Sequence, residues 1–196
     1  MSRQLLRISR DRTAFLCCDI QEVFRSTIHR FEHVTNTAST LMAAAHVFNI
    51  PVVVSEQYPE KLGKTADPID TSKAHVYSKT KFSMIADGFP SSVLSGKDAF
   101  VLFGIETHVC VQQTALDLLE MGKSVVLVTD GVSSSRDLDR STAIHRLSQC
   151  GAVLMSAEAV MFELMRTKDC DEFKTISGFA KQLAAFGKAN SVLSSL

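Results

Sequence analysis

Short apolar runs alternate along this chain with longer stretches in which apolar residues return every third or fourth position. Residues 13–19, TAFLCCD, form a run ending in a carboxylate, long enough for a strand buried on both faces and too short for a helix. Over residues 33–49 the apolar set Val34, Ala38, Leu41, Met42, Ala45 and Phe48 predicts a helix, stopped by Asn49 and Pro51. Residues 51–55, PVVVS, have the β-branched density of a second buried strand, and the loop EQYPEKLGKTADPID follows with Pro and Gly punctuation. A short strand is predicted at 75–78 and a longer one at 99–104. The helix predicted at 107–121 carries Val111, Ala115, Leu118 and Leu119 on one face, and Gly122 closes it. Then come strand 124–130 (SVVLVTD), helix 137–149 stopping near Gly151, strand 152–156, and helices 157–165 and 171–186.

Strands alternating with helices imply right-handed βαβ crossovers, and therefore an α/β fold with a mainly parallel, Rossmann-like sheet between helical layers. No internal repeat or linker divides residues 1–196, which read as a single domain. In open parallel sheets the ligand crevice lies beyond the carboxyl ends of the strands, so the side chains gathered there are the candidates for chemistry. They are Asp19, the Glu56-Gln57-Tyr58 segment, residues 77–82, Cys110 and Asp130. Cys110 stands at a strand-to-helix junction, where unpaired amides and the positive end of the helix dipole favour a thiolate. Each candidate also has a structural reading: Cys110 as a small buried hydrophobe, Asp19 as a helix cap, Lys79 and Lys81 as solvated surface lysines. Asp130 before Gly131 fits a turn or capping role and is set aside.

Composition narrows the function. The 196 residues are 45% hydrophobic, and Lys+Arg and Asp+Glu both number 21, so no basic excess points to nucleic acid or an anionic membrane surface. No apolar run reaches the roughly 18 residues of a membrane span, and the first residues lack the apolar core of a secretory signal. Arginines at 3, 7, 10 and 12 leave mitochondrial import open, and Ser194-Ser195-Leu196 lacks the basic residue of a peroxisomal address. The five cysteines show no C-x-x-C spacing, which fits a reducing compartment, and the cytoplasm is the expected location. Neither G-x-G-x-x-G nor a P-loop is present, so no nucleotide cofactor is expected. Of the histidines, at 29, 33, 46, 75, 108 and 145, only His29 and His33 have metal-ligand spacing, and they lack the intervening glutamate of zinc proteases; no metal is expected.

Four stretches together, LCCDIQEVF (16–24), SEQYPEKLG (55–63), YSKTKFSM (77–84) and FGIETHVCVQQTALDLLEMG (103–122), resemble the isochorismatase-like cysteine hydrolase superfamily, in the family's order. The EQYP-x-x-LG and K-T-x-F-S-M stretches look most like the eukaryotic isochorismatase-domain-containing proteins. The resemblance runs from about Thr13 to Lys181. It implies a three-layer α/β/α sandwich and a catalytic triad of Asp19, Lys79 and Cys110, with Lys79 selected over Lys81 because it stands three residues before Phe82. It also implies a cis peptide between Ile105 and Glu106, an oxyanion hole made by the backbone N–H groups of Glu106 and Cys110, and a family habit of forming homo-oligomers. The apolar C-terminal helices, ending in VLSSL, offer a surface for such association.

The chemistry implied is hydrolysis of a small amide or related acyl compound. Lys79 and the helix amino end favour the Cys110 thiolate, Asp19 accepts and returns the proton, and a covalent thioester forms. Gln21, Phe24, Gln57, Phe82 and His108 are candidates for lining a small-molecule pocket. Two departures are informative. Isochorismatases proper cleave a vinyl ether without this cysteine, and nicotinamidases carry Asp and His metal ligands after the second strand, where this chain has Glu56, Gln57, Tyr58 and Pro59. The alternative is a regulatory or protein-interaction module that retains the pocket without turnover. Ribonuclease activity is disfavoured by the balanced charge.

Overall fold

The computed structural model describes residues 7–189; Arg3 and the VLSSL end (192–196) lie outside them. Among the described residues β1 (Thr13–Cys18), β2 (Val52–Gln57), β3 (His75–Lys79), β4 (Ala99–Gly104), β5 (Ser124–Val132) and β6 (Val153–Met155) form one sheet in the order β3-β2-β1-β4-β5-β6, every pairing parallel. The helices are α1 (Phe31–Val47), α2 (Pro59–Leu62), α3 (Ser91–Gly96), α4 (Gln112–Glu120), α5 (Asp137–Cys150), α6 (Ala157–Met165) and α7 (Phe173–Ala189). A 3-10 turn covers Glu22–Phe24 and a single π-helical turn Thr107–Val111.

Strand residues alternate strictly between two cores, as the two-residue period of a pleated strand demands. Phe15 and Cys17 of β1, Val52 and Val54 of β2, Val101 and Phe103 of β4, and Val126 and Val128 of β5 meet α1, α6 and α7. Ala14, Leu16 and Cys18, Val53, Phe100 and Leu102, and Val125 and Leu127 point the other way, toward α4 and Leu147 of α5. That is a three-layer α/β/α sandwich, and it explains why the central strands read as unbroken apolar runs. Burying each large aliphatic side chain contributes about 1.5–3 kcal/mol.

The strand order reverses between β1 and β4, because β1, β2 and β3 wind outward one way before the chain returns to lay β4 on the other side of β1. This is where a doubly wound sheet opens a crevice. Gly104 ends β4 opposite Cys18 with φ +130°, and a Cβ there would sit 2.1 Å from the Cys18 carbonyl oxygen. Only glycine permits so close an approach in that conformation. The Ile105 N–H then donates to the same carbonyl at 2.9 Å, which brings the following segment over the end of β1.

The structure departs from the expected elements at their ends. β2 runs on to Gln57 and β5 to Val132, and the helix expected from Thr107 opens as the π turn before α4. The short helices α2 and α3 fall outside the predicted set, being too brief to show an apolar period; Pro59 at the start of α2 fits a first helical turn. Asp130 lies within β5, and its Oδ1 accepts from the N–H of Ala157, the first residue of α6, at 2.8 Å.

Burial pushes the Asp130 carboxyl above its ordinary value of 3.8, against the opposing pull of the Ala157 amide, His33 and Arg140. A carboxyl raised in the folded state costs stability as pH climbs from below 3.8 through the raised value. Asp130→Asn keeps an acceptor for Ala157 and removes the charge. It is expected to raise the melting temperature at pH 7, with the gain closing toward pH 3. An equal difference at both pH values would contradict this assignment.

Candidate active site

Three neighbouring strands end level at the crevice, Cys18 pairing with Ser55 and Ser55 with Tyr77, and Gln57 with Lys79 one turn of the pleat further on. Asp19 follows β1 in the left-handed region, at φ +50°, and its carboxylate is buried. Oδ1 accepts from the Ser55 hydroxyl at 2.7 Å, while Oδ2 accepts from the Lys79 ammonium at 2.6 Å and faces Cys18 Sγ at 3.7 Å. The Lys79 side chain is 0% exposed. Besides Asp19, its Nζ has Gln57 Oε1 at 2.7 Å, the Phe82 carbonyl at 2.8 Å and the Lys81 carbonyl at 3.2 Å. An ammonium has three protons, so these four acceptors use all of them.

Cys110 enters from the β4 side. The Ile105–Glu106 peptide bond is cis, and the π turn that follows opens with the Val111 N–H on the Glu106 carbonyl at 3.2 Å. The Val109 N–H donates to the same Glu106 carbonyl at 3.1 Å, and the Thr107 N–H to the Ser133 carbonyl at 2.9 Å. Thr114 pins the turn from the next helix: its hydroxyl donates to the Cys110 carbonyl at 2.7 Å and accepts from the Met84 N–H at 2.8 Å. The Cys110 side chain is buried in the same cluster as Cys18, Tyr77 and Met84.

The four polar groups sense one another. Burial pushes the Cys18 thiol well up, reinforced by its hydrogen bond with Cys110 and by the charges of Asp19 and Cys110, with Lys79 opposing. Burial alone would lower Lys79, but its neighbours Cys18, Asp19 and Cys110, with the direct bond to the Asp19 carboxylate, prevail and hold it above 10.5. A lysine raised in this way contributes stability that is fully present below 10.5, so the ion pair is intact through the neutral range. The structure thus joins Asp19 and Lys79 in a buried ion pair, and it buries the Cys110 side chain in the cluster that holds Cys18, whose Sγ faces the same Asp19 oxygen. Ser55 and Cys18, which belong to it, were not among the candidates; alternation along β2 and adjacency to Asp19 were the signals that mark them.

Beside Lys79 lies a cleft of about 620 Å³, lined by residues that include Tyr58, Glu60, Lys81, Ile85 and Asp87. Phe82, expected in the pocket, is half exposed and contributes its carbonyl to Lys79. Lys81 is a surface residue whose ammonium meets Asp117 at 3.1 Å. Among the described residues no group of three or more His, Cys, Asp or Glu side chains is arranged to hold a metal ion.

Residues 13–159 match the isochorismatase domain model. The chain is 41% identical over 175 residues to isochorismatase domain-containing protein 1 of Salmo salar, covering 88% of this chain and 62% of that protein, so it spans less than two thirds of that relative's length. A solved structure of the MAR1 ribonuclease from Caenorhabditis elegans superposes with a TM-score of 0.84 at 38% identity, covering 89% of this chain and 92% of that one. YcaC from Pseudomonas aeruginosa, solved with hexane-2,5-diol and covalent acrylamide, superposes with a TM-score of 0.81 at 25% identity over 95% of this chain and all of its own.

Three residues expected to line the pocket have other tasks here. Gln21 is fully buried; its Nε2 donates to the Gln57 carbonyl at 3.0 Å and the Gly63 carbonyl at 2.6 Å, and its Oε1 accepts from the Gln57 N–H at 2.8 Å. It clamps the loop after β1 to the end of β2. Phe24 packs against the core formed by α1, α6 and α7. His108 turns its ring to Ser134 Oγ at 3.0 Å, with Glu106 and Asp139 beyond. Gln21→Leu strands three backbone groups and is expected to cost about 2–3 kcal/mol in urea denaturation. A variant as stable as wild type would return Gln21 to the pocket.

Proposed function

The chain belongs to the isochorismatase family, and from that premise we propose that it is a cysteine hydrolase acting on a small amide or related acyl compound. The observation that carries the reading is the buried Lys79–Asp19 ion pair, 2.6 Å long, whose Asp19 oxygen also faces Cys18 Sγ at 3.7 Å in the cluster where the Cys110 thiol is buried. A solvated lysine and a capping aspartate would have neither the burial nor the shared partner.

The proposed course uses each group once per half-reaction. Cys110 gives its proton to Asp19 as sulfur attacks the acyl carbon, and the fixed charge of Lys79 stabilises the sulfur anion. The carbonyl oxygen, now an oxyanion, faces the backbone N–H groups of Glu106 and Cys110. Collapse breaks the bond to the amine, which leaves with the proton held by Asp19, and the acyl group stays on sulfur as a thioester. Water then attacks, its proton passing to Asp19 and on to the departing sulfur, and the acid is released. Glu106 is held for this by its carboxylate, which accepts from the Ser135 N–H and hydroxyl, each at 3.0 Å. Covalent acrylamide in the Pseudomonas relative, acrylamide being a reagent that nucleophiles such as thiols attack at its vinyl carbon, supports a reactive nucleophile in a protein of this fold.

The small-molecule reading extends to association of like chains, for which edge strands β3 and β6 leave Val76 and Leu154 exposed. The ribonuclease named among the solved relatives gives RNA cleavage a hearing. Against it, Lys+Arg and Asp+Glu both number 21, so the chain carries no basic excess of the kind a phosphate backbone calls for.

A small-amide library screened against wild type, Cys110→Ala and Asp19→Asn tests the proposal. Turnover is expected in wild type, to fall at least about a hundredfold in either variant, with an acyl mass adduct on Cys110 during reaction. Equal turnover by Cys110→Ala would refute it. No turnover and no adduct would favour the non-catalytic module, and RNA cleavage abolished by Cys110→Ala would favour the ribonuclease.

A further inference from the structure

β2 is more than a wall of the site. Ser55 and Gln57 stand two residues apart, so both face the layer that holds Cys18, Tyr77 and Cys110, while Glu56 between them points away to Lys64 and Thr65. Ser55 donates to one oxygen of Asp19, and Gln57 accepts from Lys79. We propose that Ser55 and Gln57 are positioning residues of this site, which fix the oxygen of Asp19 and the direction of the Lys79 charge that the Cys110 thiol meets. The inference rests on the cysteine-hydrolase reading and assigns to it two residues outside the triad.

The hydrogen bonds define what each does. With Oδ1 taken by Ser55, Asp19 has Oδ2 as the oxygen that faces Cys18 Sγ, and in the proposed course proton transfer uses that oxygen. Gln57 is itself fixed on three sides: Nε2 donates to the Thr80 carbonyl at 2.9 Å, and its backbone is bound in both directions by Gln21. That bond to Thr80 decides the amide orientation and presents Oε1, a neutral acceptor, to Lys79. The ammonium then spends its protons on Asp19, Gln57 and the carbonyls after β3, and has none left for substrate. Lys79 therefore acts as a stationary positive charge. An acid at position 57 would cancel it; a shorter side chain would let it swing.

Residues that merely satisfied buried polar groups would affect stability and leave thiol reactivity alone. Iodoacetamide labelling, followed by peptide mass spectrometry from pH 6 to 10, separates the two, with exposed Cys150 as internal reference and thermal melts for each variant. At pH 7 the rate at Cys110 is expected to fall about tenfold in Ser55→Ala and Gln57→Ala, as for loss of a hydrogen bond to a charged group. It falls further in Gln57→Glu, while Ser55→Thr, which keeps the hydroxyl, recovers it. Gln57→Glu keeps the shape of the amide, so a folding defect in Gln57→Ala leaves the test standing. Folded variants that label Cys110 at the wild-type rate throughout would overturn the positioning roles alone. Wild-type Cys110 reacting no faster than Cys150 at pH 7 would overturn the hydrolase reading and these roles with it.

Discussion

A carboxylate and an ammonium withdrawn from water cost several kcal/mol each in lost hydration, and their attraction offsets that cost only when geometry is good and the remaining lone pairs and protons are matched. Asp19 and Lys79 meet this condition through their surroundings: Ser55 on the free carboxylate oxygen, Gln57 and two carbonyls on the ammonium. The requirement reaches well beyond the pair. It fixes the register of β1, β2 and β3, since a one-residue slip would carry Ser55 or Lys79 to the other face of the sheet. It also fixes the path after β3, whose carbonyls at Lys81 and Phe82 must turn back to the ammonium.

The second half of the site depends on how closely β4 can approach that pair. Gly104 lies against the Cys18 backbone where no side chain fits, and the chain leaves it through Ile105 bonded to the same residue. The π turn then carries Cys110, whose side chain is buried in the same cluster as Cys18. Thr114 locks the turn to Met84, and so joins the β4 side of the crevice to the segment that follows Lys79. A glycine, a π turn and a threonine thus set the Cys110 thiol in the buried cluster with Cys18, the neighbour of Asp19.

Much of this was legible in the chain because buried parallel strands must be apolar on both faces. β1 and β4 stand where the apolar runs stand, and α6 begins and ends at the predicted residues. Strand-end placement alone nominated Asp19 and Cys110, and the family resemblance separated Lys79 from Lys81. What stayed hidden depends on side-chain direction. Gln21 and Gln57 are both glutamines in loops by sequence, yet one clamps backbone and the other holds an ammonium. His108 sits two residues from the sulfur and turns its ring to Ser134 instead, because successive residues of a tight turn diverge. Ser55 opens the SEQYPEKLG stretch but was not singled out within it; its importance comes from the strand beside it.

The pair itself can be weighed by a double-mutant cycle in denaturant at pH 7, using Asp19→Asn, Lys79→Met and the two together. Each single change leaves an uncompensated buried group and should cost about 3–5 kcal/mol, whereas the double variant should cost at least about 2 kcal/mol less than their sum. Strict additivity, or single variants as stable as wild type, would mean that the two groups do not share a buried bond and that the site is organised by something else.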